Sequence, residues 1–514
     1  QSLNPSETDV MALLNKDVVG LIPKKLELAT AYIREISFMT IQRYIEKLQA
    51  LKKQHKKQQG KLVLPVVNLG LETLVPQAQL LMRHGAYLDP DFIPVSLINE
   101  LLGLTDEEEL NAILSPIERL SLVTIINDSG QIGIQIHQEV QAACKEYQGW
   151  KENGEGERSK QNLLLSLIKV LHEYMPEVTN YNLDQEFLYV PNVIYVVEVA
   201  IQEGLKDPLL ADLMFRMGNY FRLAVCTYQT AKNYYVKSYE MRKSLYPYNH
   251  PDIANSIISI GDIFSSLGEN EGALVCYKQA LVGMKDSHTN NHLQIATLLN
   301  NIGMIYAELG KSQKALEYLN LSLETRQDFY KVNHPDIAKS FNNIACFYQK
   351  LKQYEQALEY YKLAFSVLED LEKSGIHVPM FKIGILNNLG TISNELGHKA
   401  NEREKKKWLY ETGLFYHQQA LATWKNDRVG NYASRDDIIC MVDTIYNLGK
   451  GYSNLGKNKE GLKYLEQALE MKKALYPGNH PDIDQVQKSI ILLKEKQEQE
   501  NEKSYEQDRR CILS

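Results

Sequence analysis

The side chains that could do chemistry in this chain are few and scattered. A G-x-x-x-x-G-K string, typical of phosphate loops, runs from Gly451 to Lys457, but Asn458 follows where magnesium binding needs Ser or Thr. His172-Glu173 opens a metalloprotease-like motif whose second histidine is missing. There is no serine nucleophile elbow and no clustered acid–base pair. We therefore expect no catalysis, no metal site and no cofactor.

Cysteine chemistry offers one candidate. The six cysteines form no Cys-x-x-Cys pair, which indicates reduced thiols and a cytoplasmic protein. The last four residues, Cys511-Ile512-Leu513-Ser514, match a prenylation box that favours a farnesyl group on Cys511. One prenyl chain binds a membrane only marginally, and no polybasic patch lies beside it, so we expect weak and reversible membrane association. No apolar run is long enough to span a membrane.

The bulk properties exclude one class of partner. The chain has 514 residues, enough for two or three domains, and a net charge of −7. A general nucleic-acid binder needs a basic face, so we expect none here.

The elements that would position a site form an internal repeat. His250, His292 and His334 are 42 residues apart, and each opens a similar segment: HPDIANSIISIGDIFSSLG, HLQIATLLNNIGMIYAELG and HPDIAKSFNNIACFYQKLK. A second amphipathic stretch follows each one. This pattern predicts antiparallel helix pairs, A and B, stacked side by side in a mainly α fold.

Small residues mark where the two helices of a pair cross. Helix A carries Gly261, Gly303 or Ala345, and helix B carries Ala273, Ala315 or Ala357 followed by a large residue (Tyr277, Leu319 or Tyr361). Further copies centre on Gly390 with Gly413 and on Gly449 with Gly461, and a degenerate copy includes Gly218 and Ala231. We count about six units and predict an α-solenoid over residues 210–490.

The HPDIA openings and the N-N-(I/L)-(G/A) core of helix A resemble the tetratricopeptide repeats of kinesin light chains, over residues 245–371 and 376–485. In LYPYNHPDI, FYKVNHPDI and LYPGNHPDI we predict that Asp252, Asp336 and Asp482 cap or charge-complement the next helix. We expect the histidines of these turns to pack, not to bind metal.

The resemblance implies a peptide-binding groove lined by helix A. The repeat register places the following residues there: Thr297, Asn300, Met304, Glu308, Lys339, Asn342, Cys346, Lys350, Asn387, Thr391 and Asn394. In such repeats asparagines at this place hold the backbone of an extended peptide, because an amide is both donor and acceptor. The alternative is that these asparagines solvate the groove or hold the neighbouring helix. Between Gly397 and Gly413 an insertion with Lys405 to Lys407 and Trp408 is expected to lengthen both helices and to form a solvated face.

The first 150 residues lack the repeat. Residues 1–60 are predicted to be a helical subdomain, and 61–150 a winged helix with helices at Glu72–Arg83, Pro94–Leu102 and Asp106–Leu120 and a hairpin of LVTII and QIGIQI. Residues 149–160 are predicted to form a polar linker, and residues 151–209 together to comprise linker and capping helices. Residues 491–514 form a charged tail, either helical or disordered.

LIPKKLELATAYI, AYLDPDFIP and IHQEVQ resemble the C-terminal half of the NB-ARC module of STAND-class signalling ATPases. The resemblance implies nucleotide contacts at Pro23 and His137, although Lys24 and Lys25 depart from the family motif. The alternative is that the two residues have structural roles only, as a helix cap and a core imidazole. It implies ADP or ATP binding only if a phosphate loop precedes Gln1.

Three functions follow. We favour an interaction scaffold, the repeat arm of a STAND-type protein that binds a peptide or a partner protein in its groove. A kinesin-light-chain-like cargo adaptor is the second, although residues 1–205 show no sustained heptads. A nucleotide-driven switch is the third, and it requires the upstream phosphate loop.

Overall fold

The computed structural model describes residues 31, 65–128, 130–147, 156–175, 188–286, 291–426, 435–476 and 480–513. Within these residues the chain is mainly α-helical, with twenty helices and one three-stranded sheet. It divides into two compact units, Gln1–Pro247 and Tyr248–Ser514. The predicted helical subdomain at 1–60 and its Pro23 lie outside the described residues, except for Ala31, which is helical and buried.

The first unit begins with short helices around a small sheet. Its elements are α1 (Pro65–Thr73), α2 (Pro76–Gly85), β1 (Ile93–Pro94), α3 (Val95–Leu102), α4 (Glu107–Arg119), β2 (Thr124–Asp128), β3 (Gln131–Gln135) and α5 (Gln138–Glu146). All neighbouring strands are antiparallel, in the order β1-β3-β2. Ile125 of β2 pairs with Ile134 of β3; Ile134 is buried and Ile125 is exposed, so the predicted hairpin meets the core through β3.

Two predicted boundaries were wrong. The helix expected at Glu72–Arg83 is split, because α1 ends at Thr73 and α2 begins at Pro76. Proline lacks the backbone donor and disfavours helical geometry in the residue before it, so it starts a helix more readily than it continues one. The linker expected at 149–160 is shorter, because the next helix already begins at Gly156.

Four longer helices complete the first unit: α6 (Gly156–Tyr174), α7 (Val190–Gln202), α8 (Pro208–Leu223) and α9 (Tyr228–Leu245). The pair α8 and α9 is the degenerate repeat predicted around Gly218. A Cβ on Gly218 would lie 2.5 Å from the Tyr235 ring, the same close crossing as in the later repeats.

A partly buried ionic network ties α6, α8 and α9 together. Asp212 accepts hydrogen bonds from His172 Nε2 (2.8 Å), Arg216 Nε (2.8 Å) and Arg242 (3.0 Å). Burial opposes the charge on Asp212, but these donors outweigh it and lower the pKa of the carboxyl group. Arg216 also donates to the backbone oxygen of Met175, at the end of α6 (2.7 Å). His172 is therefore a structural residue of this network.

The second unit is a stack of helix pairs. Its helices are α10 (Pro251–Ser266), α11 (Asn270–Asp286), α12 (His292–Glu308), α13 (Ser312–Tyr330), α14 (Pro335–Lys350), α15 (Tyr354–Lys373), α16 (Pro379–Lys399), α17 (Arg403–Asn426), α18 (Arg435–Asn454), α19 (Asn458–Leu475) and α20 (Pro481–Leu513). Even-numbered helices from α10 are the A helices and odd-numbered ones the B helices. We number the pairs one to five from α10.

The predicted insertion lengthens both helices of the fourth pair. α16 has 21 residues and α17 has 24, whereas α12 has 17 and α14 has 16. Trp408 and the side chains of Lys405 and Lys407 are exposed on the added turns of α17. The charged tail is also helical, since α20 runs without a break from Pro481 to Leu513.

Candidate functional site

The two helices of a pair cross closely at the small residues that the sequence pattern predicted. A Cβ on Gly261 would lie 2.7 Å from the Tyr277 ring, and a Cβ on Gly303 would lie 2.9 Å from Cγ of Leu319. Only glycine or a comparably small residue leaves space for the large side chain of helix B. The predicted helix register is therefore confirmed at these positions, and the opposite side of each A helix faces away from its own B helix.

Side chains join the A helices of successive pairs into one surface. Asn343 Nδ2 on α14 donates to Asn300 Oδ1 on α12 (2.8 Å), and Asn388 Nδ2 on α16 donates to Asn342 Oδ1 on α14 (3.0 Å). Lys350 on α14 forms an ion pair with Glu308 on α12 (2.6 Å). We call this surface of α12, α14 and α16 the A-helix wall, and the asparagine contacts its amide ladder.

The predicted groove residues divide into three groups by exposure. Thr297, Glu308, Lys339 and Lys350 are exposed, and Asn300, Met304, Asn342, Cys346 and Thr391 are half-buried on the wall. The other two are buried, Asn387 with 8% of its surface exposed and Asn394 with 9%. The prediction that these two line an open groove was wrong.

Asn387 is buried because its own B helix and the fifth pair enclose it. Its Nδ2 donates to Thr444 Oγ1 on α18 (2.7 Å), and its Oδ1 is 3.3 Å from Nδ1 of His417 on α17, which donates to it. His417 stands in the repeat register of Leu319 and Tyr361 and is fully buried. Neither His417 nor Thr444 was among the predicted site residues. For His417 the signal was present, because the repeat register places this polar residue at a core position.

Three histidines of the turns between pairs cap the helix that follows. The Nδ1 atoms of His250, His334 and His480 each accept a hydrogen bond from the backbone N–H two residues later, at 3.2 Å. The His334 ring also stacks on Tyr330, with 3.5 Å between ring centroids. Asp252, Asp336 and Asp482 were predicted to cap or to charge-complement these helices; the histidine supplies the cap, and each aspartate lies in the first turn, where a negative charge complements the helix dipole. Asp336 also accepts a hydrogen bond from the Tyr330 hydroxyl (2.8 Å).

A cavity of about 490 Å³ opens beside the wall between the third and fourth pairs. Cys346, Gln349, Lys350, Lys352, Tyr354 and Glu395 line it. Burial raises the pKa of the Cys346 thiol, so this cysteine is a poor nucleophile and serves as a polar lining group. Among the described residues no group of three or more His, Cys, Asp or Glu could hold a metal ion.

His137 lies at a second cavity, in the first unit. The cavity measures about 280 Å³, and Pro90, Asp91, Thr124 and Gln135 are among its lining residues. His137 is exposed and caps α5, since its Nδ1 accepts a hydrogen bond from the backbone N–H of Glu139 (3.2 Å). This cap is a structural role of the Nδ1 atom. Pro23, its predicted companion, lies outside the described residues.

The two remaining motifs, the phosphate-loop-like string and the prenylation box, lie within helices or in the turn between two helices. The string from Gly451 to Lys457 spans the end of α18 and the turn to α19, where Gly456 has a φ of +73°, so a helix and not a strand leads into the turn. It is therefore a helix turn. Cys511 belongs to the helical backbone of α20, and Ser514 lies outside the described residues. No described helix has the length and hydropathy that crossing a membrane requires.

Family models identify the repeats. A tetratricopeptide repeat model matches residues 294–370, and a second tetratricopeptide repeat model matches residues 442–482. These segments are tetratricopeptide repeats, as predicted. No curated protein sequence matches the chain at a significant level.

One solved structure supports the fold, and two others are similar over smaller parts of this chain. A STAND protein with a tetratricopeptide repeat sensor from Pyrococcus horikoshii is 16% identical with a TM-score of 0.51, over 88% of this chain and 60% of its own. BtubC from P. vanneervenii is 19% identical with a TM-score of 0.38, over 50% of this chain and 94% of its own. A putative kinesin light chain from Podosopora anserina is 15% identical with a TM-score of 0.35, over 41% of this chain and 98% of its own.

Proposed function

We propose that this chain is a protein-interaction scaffold whose A-helix wall binds an extended peptide segment of a partner protein. The observation that carries the proposal is the amide ladder, which joins α12, α14 and α16 into one continuous surface. Thr297 and Lys339 are exposed on that surface, and Asn300 and Asn342 are half-buried there. A continuous polar wall suits an extended chain better than a small molecule.

A peptide selection on the full chain tests this proposal. A random library of ten-residue peptides is selected by display against the immobilised protein, and hydrogen exchange maps the peptides that bind. We expect protection of α12 and α14 amides. We also expect that N300A/N342A weakens binding about tenfold, the loss typical of one or two hydrogen bonds.

The matched control is E317A/E359A, two exposed substitutions on the B helices of the same pairs. It should leave the affinity unchanged. Equal affinity for both double variants, or protection confined to the B helices, would contradict the proposal.

We further propose that the chain is the sensor arm of a STAND-type protein. The fold similarity to the Pyrococcus horikoshii structure supports this, and so do the winged-helix-like order of elements in residues 65–146 and the cavity at His137. A nucleotide-binding role for Pro23 and His137 requires a phosphate loop encoded upstream of Gln1. The coding sequence upstream of Gln1 tests it directly, since a reading frame without such a loop rules out the ATPase switch.

Farnesylation of Cys511 remains a prediction that applies where Ser514 is the natural C-terminus. Labelling with farnesyl diphosphate and farnesyltransferase should modify the protein and not C511S. Unlabelled protein would refute the prediction.

A cargo-adaptor role rests on the repeat resemblance alone. No observation in the structure favours it over the scaffold.

A further inference from the structure

We propose that two copies of this chain associate through α20, whose exposed side at Ile491 and Leu492 packs antiparallel against the same side of the second copy. The proposal is independent of the A-helix wall as a binding surface, because it concerns the last helix of the second unit. Three observations carry it: the large residue at the crossing position of α20, the exposed apolar side chains, and the charges on either side of them.

The crossing position of α20 is occupied by a large side chain. In the first three pairs a small residue lies eleven residues after the histidine that opens the repeat: Gly261, Gly303 and Ala345. Counted in the same way from His480, this position in α20 is Ile491. At Gly303 a single Cβ would already lie 2.9 Å from the B helix side chain, so isoleucine leaves no space for a B helix in that register.

The turn that leads into a B helix is replaced in α20 by continuous helix. In the first three pairs the turn residue has a positive φ, at Gly268 (+75°), Gly310 (+69°) and Lys352 (+58°). The corresponding residue of α20 is Glu498, which is helical, and the helix continues to Leu513. The chain therefore does not fold back at this position to cover Ile491.

Ile491 and Leu492, which we call the apolar pair, lie on the side of α20 that faces solvent. Their exposed fractions are 55% and 59%, whereas the adjacent Ile490 and Leu493 are buried in the core that includes Val486. The helix is thus apolar on two sides at this point, and only one side has a core to pack against. Association that covers the apolar pair removes this surface from water and is favourable.

Opposite charges flank the apolar pair. Lys488 lies about one turn before it and Glu495 about one turn after it, on the same side of the helix. Both side chains are exposed, and neither forms an ion pair with another described residue. The neighbouring Lys494, by contrast, forms an ion pair with Glu466 of α19 (3.4 Å). The side of α20 that carries the apolar pair therefore retains one positive and one negative group for a partner.

This arrangement of charges is complementary to itself in one orientation. When two α20 helices pair antiparallel, with Ile491 against Leu492 of the second copy, Lys488 faces Glu495 of the second copy. A two-fold axis repeats this contact, so two opposite-charge pairs flank four aliphatic side chains. A parallel arrangement would instead set each charge against its own kind, which is unfavourable. The geometry therefore favours a second copy of this chain as the partner.

The expected association is weak, because two apolar residues from each copy make an interface well below the roughly 1,000 Å² of a stable complex. We expect a Kd of about 10–100 µM, so the chain is mainly monomeric at low micromolar concentration. Sedimentation equilibrium of the full chain between 5 and 300 µM, in 50 mM NaCl, measures this. The mass should rise from that of one chain toward that of two.

Replacement of Ile491 tests the apolar pair. I491D places a carboxylate against the apolar side chains of the second copy, so we expect a monomer across the same concentration range. The control is V275D, at an apolar residue of α11 that is 66% exposed, and it should associate like wild type. Association of I491D with the wild-type Kd would overturn the proposal.

Charge reversal tests the antiparallel register. K488E and E495K each replace two attractive contacts by two repulsive ones, so each variant alone should associate about tenfold more weakly. An equimolar mixture of the two variants should recover a Kd within about threefold of wild type, because every contact between unlike copies again joins opposite charges. Recovery on mixing also shows that both variants are folded.

K285E, at an exposed lysine of α11, is the control for net charge and should associate like wild type. A wild-type chain that remains monomeric at 300 µM, or a mixture of K488E and E495K that remains monomeric, would overturn the proposal. Neither result would affect the proposed function of the A-helix wall.

Discussion

His417 shows how one residue can change the role of a repeat position. Its ring lies against Gly390, where a Cβ would be 2.5 Å from Cε1, so it packs as Leu319 does in the second pair. Unlike leucine, it donates to Asn387 Oδ1, while its Nε2 has no hydrogen-bond partner among the described residues. Burial lowers its pKa to about 3, because a charged imidazole would lose its hydration there.

Acid should therefore destabilise the protein through His417. The unfolded chain binds this proton near its ordinary pKa of 6.5, whereas the folded chain resists it down to about 3. The free energy of unfolding should be unaffected above pH 6.5 and fall by up to about 1.4 kcal/mol per pH unit below it. In H417L this contribution is absent. Urea titrations of the full chain at pH 7.5 and 5.0 measure the difference.

The exposed His292 provides the control. H292Q should keep the wild-type pH dependence, and an unchanged pH dependence in H417L would contradict the assignment of a neutral buried imidazole.

The helix pair is the unit that buries apolar surface, and its A–B crossing depends on glycine. At Gly303 the helix forgoes the better propensity of alanine because the Leu319 side chain occupies the space. Gly384 of α16 is the opposite case, since a Cβ there would meet nothing within 4 Å. Comparing the two positions distinguishes the packing role of glycine from its unfavourable helix propensity.

Alanine should have opposite effects at these two glycines. G303A places a methyl group 2.9 Å from Leu319 Cγ and should lower the free energy of unfolding by about 1–3 kcal/mol. G384A should raise it by about 0.5–1 kcal/mol, because alanine favours the helix and meets no neighbour. Urea denaturation followed by circular dichroism measures both. A destabilised G384A, or a neutral G303A, would show that the crossing is looser than described.

At the scale of the chain, each compact unit closes a core of its own. The stack of the second unit ends in α20, an A helix with no B helix after it among the described residues. Its residues Val486, Ile490 and Leu493 are buried with Val442 and Leu465. Ile491, which follows Ile490, lies on the exposed side of the helix and is 55% exposed. In a stack, each helix pair contacts only its neighbours. Disruption of the core around α20 should therefore destabilise only the nearby helices.

V486D tests that locality. Burying an unpaired carboxylate in the last core should cost about 3 kcal/mol and speed hydrogen exchange of α18 to α20 by about 100-fold. Amides of α10 to α13 should change less than about twofold, because no interface of theirs is altered. I491D, on the exposed side of the same helix, is the control and should exchange like wild type. Uniform loss of protection in V486D would show that the second unit unfolds as one cooperative body.

The sequence by itself determined the helix pairs, their register and the turns between them. Such features depend on local periodicity and on contacts within a pair, as with Gly303 and Leu319, so one repeat predicts the next. The boundaries near Pro76 and Gly156 were less certain, because several local signals compete at a helix end.

Only the tertiary structure decided which asparagines lie on the A-helix wall and which are buried. Asn300, Asn342 and Asn387 share one repeat position, yet two lie on the wall and one is buried by Thr444 and His417 from other helices. The direction of the amide ladder and the capping role of His334 likewise depend on distances between atoms that the repeat pattern does not contain. Periodicity assigns a side chain to a face of its helix, but exposure and hydrogen bonding depend on what the neighbouring helices place against that face.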